Sequence, residues 1–212
     1  MVAATLSVLA LSASSPCAPE NAPVDPGGDT VWETLYRSGV TFAEFLRVAD
    51  DRRERWERNY GEGTVAPALV TRATAVVGTW RLLVIAEDWC SDSVSTIPYL
   101  ARLAERVPDL DLRIIDSDVG RELMERHRTP DGRAATPTVF LLDDTYELAG
   151  CWVERPSELQ RWALGAGAEL RERAFVREKM GWYENDGGSS TVEDIVGLLE
   201  AAGAGRPICP SE

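Results

Sequence analysis

The sequence predicts an α/β fold: a mixed four-stranded sheet flanked by helices, with a helical extension before it and extra helices after it. Three observations carry this. Arg81–Ala86 is a short run, apolar after its first residue, of the kind found in strands buried on both faces. A helical pattern at 93–106 separates it from a second strand pattern at Leu110–Ile115, and this β-α-β order requires a right-handed crossover and a parallel pair. Beyond a short helix at Gly120–His127, the runs Pro137–Leu142 and Tyr146–Val153 are joined by a turn at Asp143-Asp144, which makes the second half an antiparallel hairpin.

Taken in order, residues 1–29 read as a disordered or signal-like leader and linker. Val2–Ala13 is apolar and rich in Ala, Leu and Ser, but no Lys or Arg precedes it and it is too short to span a bilayer. Pro16–Gly28 has linker composition. Residues 30–80 read as an N-terminal helical extension with order beginning near Thr41. Thr41-Phe42-Ala43-Glu44 fits a capping box, and Phe42, Phe45, Leu46, Ala49, Trp56 and Tyr60 recur at helical spacing, so 42–60 is one amphipathic helix. Its charged face, with Arg52, Arg53 and Arg58, reads as solvated. A second short helix covers 66–78, with Gly78 as its stop.

Residues 81–180 form the central domain. After the hairpin, Arg155-Pro156-Ser157 opens a helix whose apolar stripe runs from Leu159 past Gly165 and Gly167 toward Met180 and Tyr183. Residues 181–212 hold a last helix and a tail. Asn185-Asp186-Gly187-Gly188 is the break, Ser190–Glu193 fits a second capping box, and Gly203 closes the helix.

Composition narrows the function. The chain has 212 residues, 44% of them hydrophobic and 27% charged, which suits a globular protein with a sizeable core. Its net charge of −13 argues against nucleic-acid partners and anionic membrane surfaces, since nothing would offset phosphate repulsion. The four cysteines (Cys17, Cys90, Cys151, Cys209) form no C-x-x-C pair, and with His127 as the one histidine no zinc spacing appears. The pattern is not that of a disulfide scaffold, so reduced thiols in a cytoplasmic setting are expected, with export the alternative if residues 1–16 act as a signal peptide. Cys151 beside Trp152 reads as a packed core thiol, Cys17 and Cys209 as incidental, and His127 as a surface residue near a helix end.

The candidate site is Trp89-Cys90-Ser91-Asp92-Ser93, where the first strand delivers a cysteine to the start of a helix. Unpaired N–H groups and the helix dipole there favour a thiolate. With Ala135-Thr136-Pro137, with Pro98 eight residues after the cysteine and with Gly150 in the last strand, the chain resembles the thioredoxin superfamily. More closely it is similar to a little-characterised bacterial group labelled thioredoxin family protein. That similarity rests on Ala86–Cys90, Leu112–Asp116, Trp152 with Arg155-Pro156, and Trp182-Tyr183 followed by Gly188 and Thr191-Val192-Glu193, and it spans about residues 32–202. The resemblance implies a thioredoxin-like fold, a cis peptide at Thr136–Pro137 facing Cys90, and a proline that keeps metal away from that cysteine.

Two departures define the chemistry to expect. Ser93 stands where a dithiol enzyme has its resolving cysteine, and Val84 stands where thioredoxins carry a buried carboxylate. A mixed disulfide at Cys90 must then be resolved from outside, by glutathione or another low-molecular-weight thiol. No other cofactor and no metal is expected. The site set is Cys90 with Ser93 as its hydrogen-bond donor, and Trp89, Thr136, Pro137 and Arg133 for a protein or small-thiol disulfide substrate. Glu87, Asp88 and Asp92 oppose thiolate formation. One carboxylate at about 7 Å costs roughly 0.6–2.4 kcal/mol, against about 0.3–2 kcal/mol from the helix terminus, so the two effects are comparable. The alternative is a non-catalytic module that binds peptides or partner proteins at the Trp89/Pro137 surface by strand addition. An iron–sulfur carrier is disfavoured because the loop lacks a Cys-Gly-Phe-Ser signature.

Overall fold

The computed structural model describes residues 30–209; the leader and Cys17 lie outside them. Four strands, β1 (Trp80–Ile85), β2 (Leu110–Ile115), β3 (Thr138–Leu142) and β4 (Leu148–Val153), form one sheet in the order β2-β1-β3-β4. β1 pairs parallel with β2 and antiparallel with β3, and β3 pairs antiparallel with β4. This is the mixed sheet expected from the strand order. Strand alternation divides the core in two. Leu82, Val84, Ile114, Val139 and Leu141 face one side, while Leu83, Ile85, Ile115, Phe140 and Leu142 face the other. Leu82, Leu83 and Ile85 are fully buried, and each such side chain contributes about 1.5–3 kcal/mol.

Order begins earlier than Thr41. Helix α1 (Val31–Ser38) is capped by Thr30, whose side chain accepts the Glu33 N–H. It lays Trp32, Leu35 and Tyr36 on the second core, and the Tyr36 hydroxyl donates to Asp111 at 2.6 Å. Thr41 and Glu44 make the capping box of α2 (Phe42–Val48). The single helix expected over 42–60 is two, because the chain breaks at Ala49–Arg52 and Arg52 takes the left-handed φ of 53°. The backbone N–H groups of Asp50 and Asp51 turn away to the Asp88 carboxylate at 2.9 and 3.1 Å. Helix α3 (Arg53–Glu62) then buries Trp56 completely. Helix α4 (Pro67–Thr74) opens on a proline and ends before Gly78.

Helix α5 (Ser91–Ala104) carries Pro98 in its interior and is buried along most of its length against the first core. Helix α6 (Arg121–Arg126) lies over the second, through Leu123 and Met124. The helix expected to run on from Arg155 is broken. Helix α7 (Ser157–Leu164) stops at Gly165, a 3-10 turn covers Ala166–Glu169, and α8 (Glu172–Asp186) starts afresh. The weak helix propensity of Gly165 and Gly167 is enough to let the chain turn there. Helix α9 (Ser189–Gly203) ends where expected but has no capping box; Gly188 is its cap residue, and the Ser190 N–H goes back to the Asp186 carboxylate at 3.1 Å. Both outer strands are flanked further: Val40 exchanges two backbone bonds with Ile114 on β2, and Ile208 bridges Gly150 on β4. Each bridge covers part of an otherwise open sheet edge. No described helix is long and apolar enough to cross a membrane.

Candidate functional site

Cys90 is the N-cap residue of α5, at the carboxyl end of β1. Its sulfur receives the Ser93 N–H at 3.5 Å and its thiol donates to the Thr136 carbonyl at 3.2 Å. The Thr136–Pro137 peptide is cis. Four of the site residues named from the sequence, Cys90, Ser93, Thr136 and Pro137, are therefore brought together. Trp89 stands beside them with 54% of its surface exposed, while Cys90 is 8% exposed.

Ser93 acts differently from expectation. Its backbone N–H, and not its hydroxyl, meets the sulfur; the hydroxyl is buried without a hydrogen-bond partner. Arg133 also reaches the proline loop, but its guanidinium is held by Glu154 at 2.9 and 3.0 Å and by Asp131 at 2.7 Å. Its charge is thus matched by carboxylates.

The three carboxylates counted against the thiolate are each engaged. Glu87 accepts the Ser117 N–H at 2.7 Å, and Asp88 accepts the two N–H groups of the α2–α3 break. Asp92 is buried under the turn. It pairs with Lys179 at 2.5 Å and Arg155 at 3.2 Å and accepts the Tyr183 hydroxyl at 2.8 Å. Two cations thus face the anion in the first turn of the helix that Cys90 caps.

These contacts extend into one chain of charges: Asp131, Arg133, Glu154, Arg155, Asp92 and Lys179 alternate in sign from the proline loop to the start of α5. Glu154 is the hinge of it. It is buried, adopts the left-handed φ of 68°, and its N–H donates to the Pro137 carbonyl at 2.7 Å. A non-glycine residue in that region costs on the order of 1–3 kcal/mol, and Glu154 is held there by ion pairs to Arg133 and Arg155. Burial, followed by the Asp92 charge, pushes the Tyr183 hydroxyl well above its ordinary range, so it stays a donor.

Lys179, Glu154 and Tyr183 were not named as site residues. The signal available was their setting: Tyr183 and Arg155 fall in the segments that carry the family resemblance, and Lys179 lies one helical turn before Tyr183 on the same face. Arg52 also belongs here and not to a purely solvated face, because its Nε donates to the Trp89 carbonyl at 2.6 Å. Trp56 adds an indole N–H to the Asp88 carbonyl at 3.0 Å. The helical extension therefore clamps the loop that presents Cys90.

The remaining cysteines correct the sequence expectation. Cys151 is not a free core thiol, and Cys209 is not incidental: the two form a disulfide. The tail reaches β4 because the Cys151 N–H donates to the Ile208 carbonyl at 2.8 Å. His127 is half-buried, packs edge-on against Phe140 with ring centroids 5.0 Å apart, and places Nδ1 3.7 Å from the Cys151 sulfur. Cys90 is the free cysteine among the described residues.

A β-α-β unit followed by an antiparallel hairpin, with a cysteine capping the first helix opposite a cis-proline, defines a thioredoxin-type protein with a serine three residues after that cysteine. The chain belongs to the thioredoxin family, whose profile matches residues 39–172. Among solved structures it is similar to a protein of unknown function from Pseudomonas aeruginosa, with a TM-score of 0.61 and 24% identity over 79% of this chain and 96% of that one. It is also similar to an HIV epitope-scaffold, with a TM-score of 0.60 and 23% identity over 79% and 96% of the two chains. These likenesses concern the fold. No curated protein matches the chain.

Proposed function

We propose that this protein carries out monothiol thiol–disulfide exchange through Cys90, with glutathione or another low-molecular-weight thiol as co-substrate. The observation that carries this reading is the seat of the sulfur, between the Ser93 N–H at 3.5 Å and the Thr136 carbonyl at 3.2 Å, at the mouth of a helix whose first-turn carboxylate, Asp92, is paired with Lys179 and Arg155. A helix N-terminus stabilises a thiolate, and pairing Asp92 with two cations offsets one of the charges set against it.

The Cys90 thiolate attacks one sulfur of a substrate disulfide R–S–S–R′. A Cys90–S–S–R bond forms, the substrate S–S bond breaks, and R′–S⁻ leaves with the electron pair and takes a proton from water. A small thiol, having lost its proton, then attacks the R-bearing sulfur and releases Cys90 as thiolate. Ser93 cannot perform that second step. Trp89 and the Thr136–Pro137 edge hold the substrate chain.

Trp89, 54% exposed beside a cysteine that is 8% exposed, favours a second reading in which the same surface binds an extended peptide without covalent chemistry. One measurement separates them: alkylation of Cys90 as a function of pH, and turnover of glutathione disulfide, in the wild type and in Cys90→Ser. Exchange that depends on Cys90 supports the first reading. Alkylation that rises only around the free-thiol value of ~8.5, with no Cys90-dependent turnover, overturns it.

A further inference from the structure

We propose that His127, Cys151 and Cys209 form a redox-gated site for a borderline-soft divalent cation of the zinc class. The three residues come from the C-cap of α6, from β4 and from the tail, and their donor atoms all lie within 4.8 Å of one another. Each is placed by an independent contact. Cys151 sits in the register of β4 opposite Phe140, Cys209 is delivered by the Ile208–Gly150 bridge, and the His127 ring is set against Phe140.

The spacing suits an ion. With Zn–S of about 2.3 Å and Zn–N of about 2.0–2.1 Å, tetrahedral angles put sulfur and nitrogen roughly 3.5 Å apart and two sulfurs roughly 3.8 Å apart. The Cys151 sulfur and His127 Nδ1 are 3.7 Å apart in the disulfide-bonded protein. On reduction the two sulfurs must separate, and the tail must bring Cys209 toward His127 within a cluster that spans at most 4.8 Å. Two thiolates and an imidazole are a zinc ligand set with a fourth position left for water or another donor. Phe140, Leu142, Trp32 and Leu35 supply an apolar surround on this face of the sheet, which strengthens ligand–metal attraction.

Disulfide and metal exclude each other, because both use the same sulfur electrons. In the oxidised protein Cys151 and Cys209 offer no thiolate. Two low-molecular-weight thiols reduce the bond, giving a small-molecule disulfide and two cysteine thiols; the incoming cation then displaces both thiol protons. None of this uses Cys90, so the inference stands or falls separately from the exchange chemistry proposed above.

The test uses the full chain, reduced with a phosphine, stripped of metal and titrated with Co²⁺ and Zn²⁺. A single ion should bind per chain, with thiolate-to-cobalt charge-transfer absorption in the near ultraviolet, and binding should vanish after oxidation with diamide. Cys209→Ser and His127→Ala should each weaken binding at least ~10-fold, whereas Cys90→Ser should leave it unchanged. His127→Ala also strips a ring from Phe140, so Cys209→Ser, in the tail, is the deciding variant, with circular dichroism to establish that it is folded. Failure of the reduced wild type to bind a single ion, or binding indifferent to Cys209→Ser, overturns the proposal.

Discussion

Lys179 Nζ lies 2.5 Å from Asp92 Oδ2, with the two side chains 7% and 8% exposed, and this contact ties α8 to the start of the helix that Cys90 caps. Breaking a buried ion pair from one side costs about 3–5 kcal/mol, because the remaining charge stays buried. Asp92→Asn should show a loss of that size, since it leaves both Lys179 and Arg155 without their shared anion. Lys179→Met should cost less, because Arg155 and Tyr183 still serve Asp92. Urea unfolding of both variants and of the double variant checks this; a coupling energy below ~0.5 kcal/mol would contradict it.

Asp131 gives a pH signature. Its hydrogen bond from Arg133, aided by Thr129, holds its carboxyl down to about 2. Below the unfolded value of ~3.9 the unfolded chain binds this proton first. The contribution of Asp131 is therefore present above that value and lost as pH falls toward about 2. In Arg133→Gln the carboxyl should titrate close to the ordinary aspartate range, and this part of the acid dependence should disappear. Carboxyl NMR titration of Asp131 reads it directly; an unchanged midpoint in the variant would refute the assignment.

Ser93 is expected to be dispensable for stability. Its hydroxyl is fully buried and unpartnered, and an unsatisfied buried group carries a penalty of about 1–3 kcal/mol. Ser93→Ala should leave stability unchanged or raise it by up to ~1 kcal/mol. Ser93→Cys should supply the missing resolving thiol, so that mild oxidation protects Cys90 from alkylation in the variant and not in the wild type. Intact-mass analysis after alkylation distinguishes these outcomes.

Gly188 and Gly187 form a matched pair. Both have positive φ, 81° and 58°, but a Cβ on Gly188 would run into the Tyr99 ring, whereas one on Gly187 meets nothing. The left-handed backbone costs a substituted residue about 1–2 kcal/mol, and forcing the ring aside adds about 1–3 kcal/mol. Gly188→Ala should lower the melting temperature clearly more than Gly187→Ala. Equal effects would mean that Tyr99 moves freely.

The strands, their pairing and the place of Cys90 were legible because they rest on local signals. Leu82–Ile85 and Thr138–Leu142 are buried on both faces and so read as continuous apolar runs. Cys90 follows a strand and precedes a helix, and Thr41-Glu44 makes a cap entirely within its own turn. The breaks were not legible. Residues 42–60 keep helical periodicity across Ala49–Arg52, yet the N–H groups of Asp50 and Asp51 bond to Asp88, over thirty residues away in the chain. Ser190–Glu193 has the letters of a capping box, but Asp186 takes the Ser190 N–H first.

By itself, then, the sequence determined the sheet, the family and the single thiol without a resolving partner, since apolar periodicity and residue identity are properties of short stretches. The tertiary structure decided what surrounds that thiol. Asp92 looks like a charge opposed to a thiolate until Lys179, 87 residues on, is folded against it. Cys209 looks stray until Ile208 pairs beside β4 and brings it to Cys151 and His127. Charge compensation and sulfur pairing depend on distance in space, and distant residues acquire that only when the chain closes on its core.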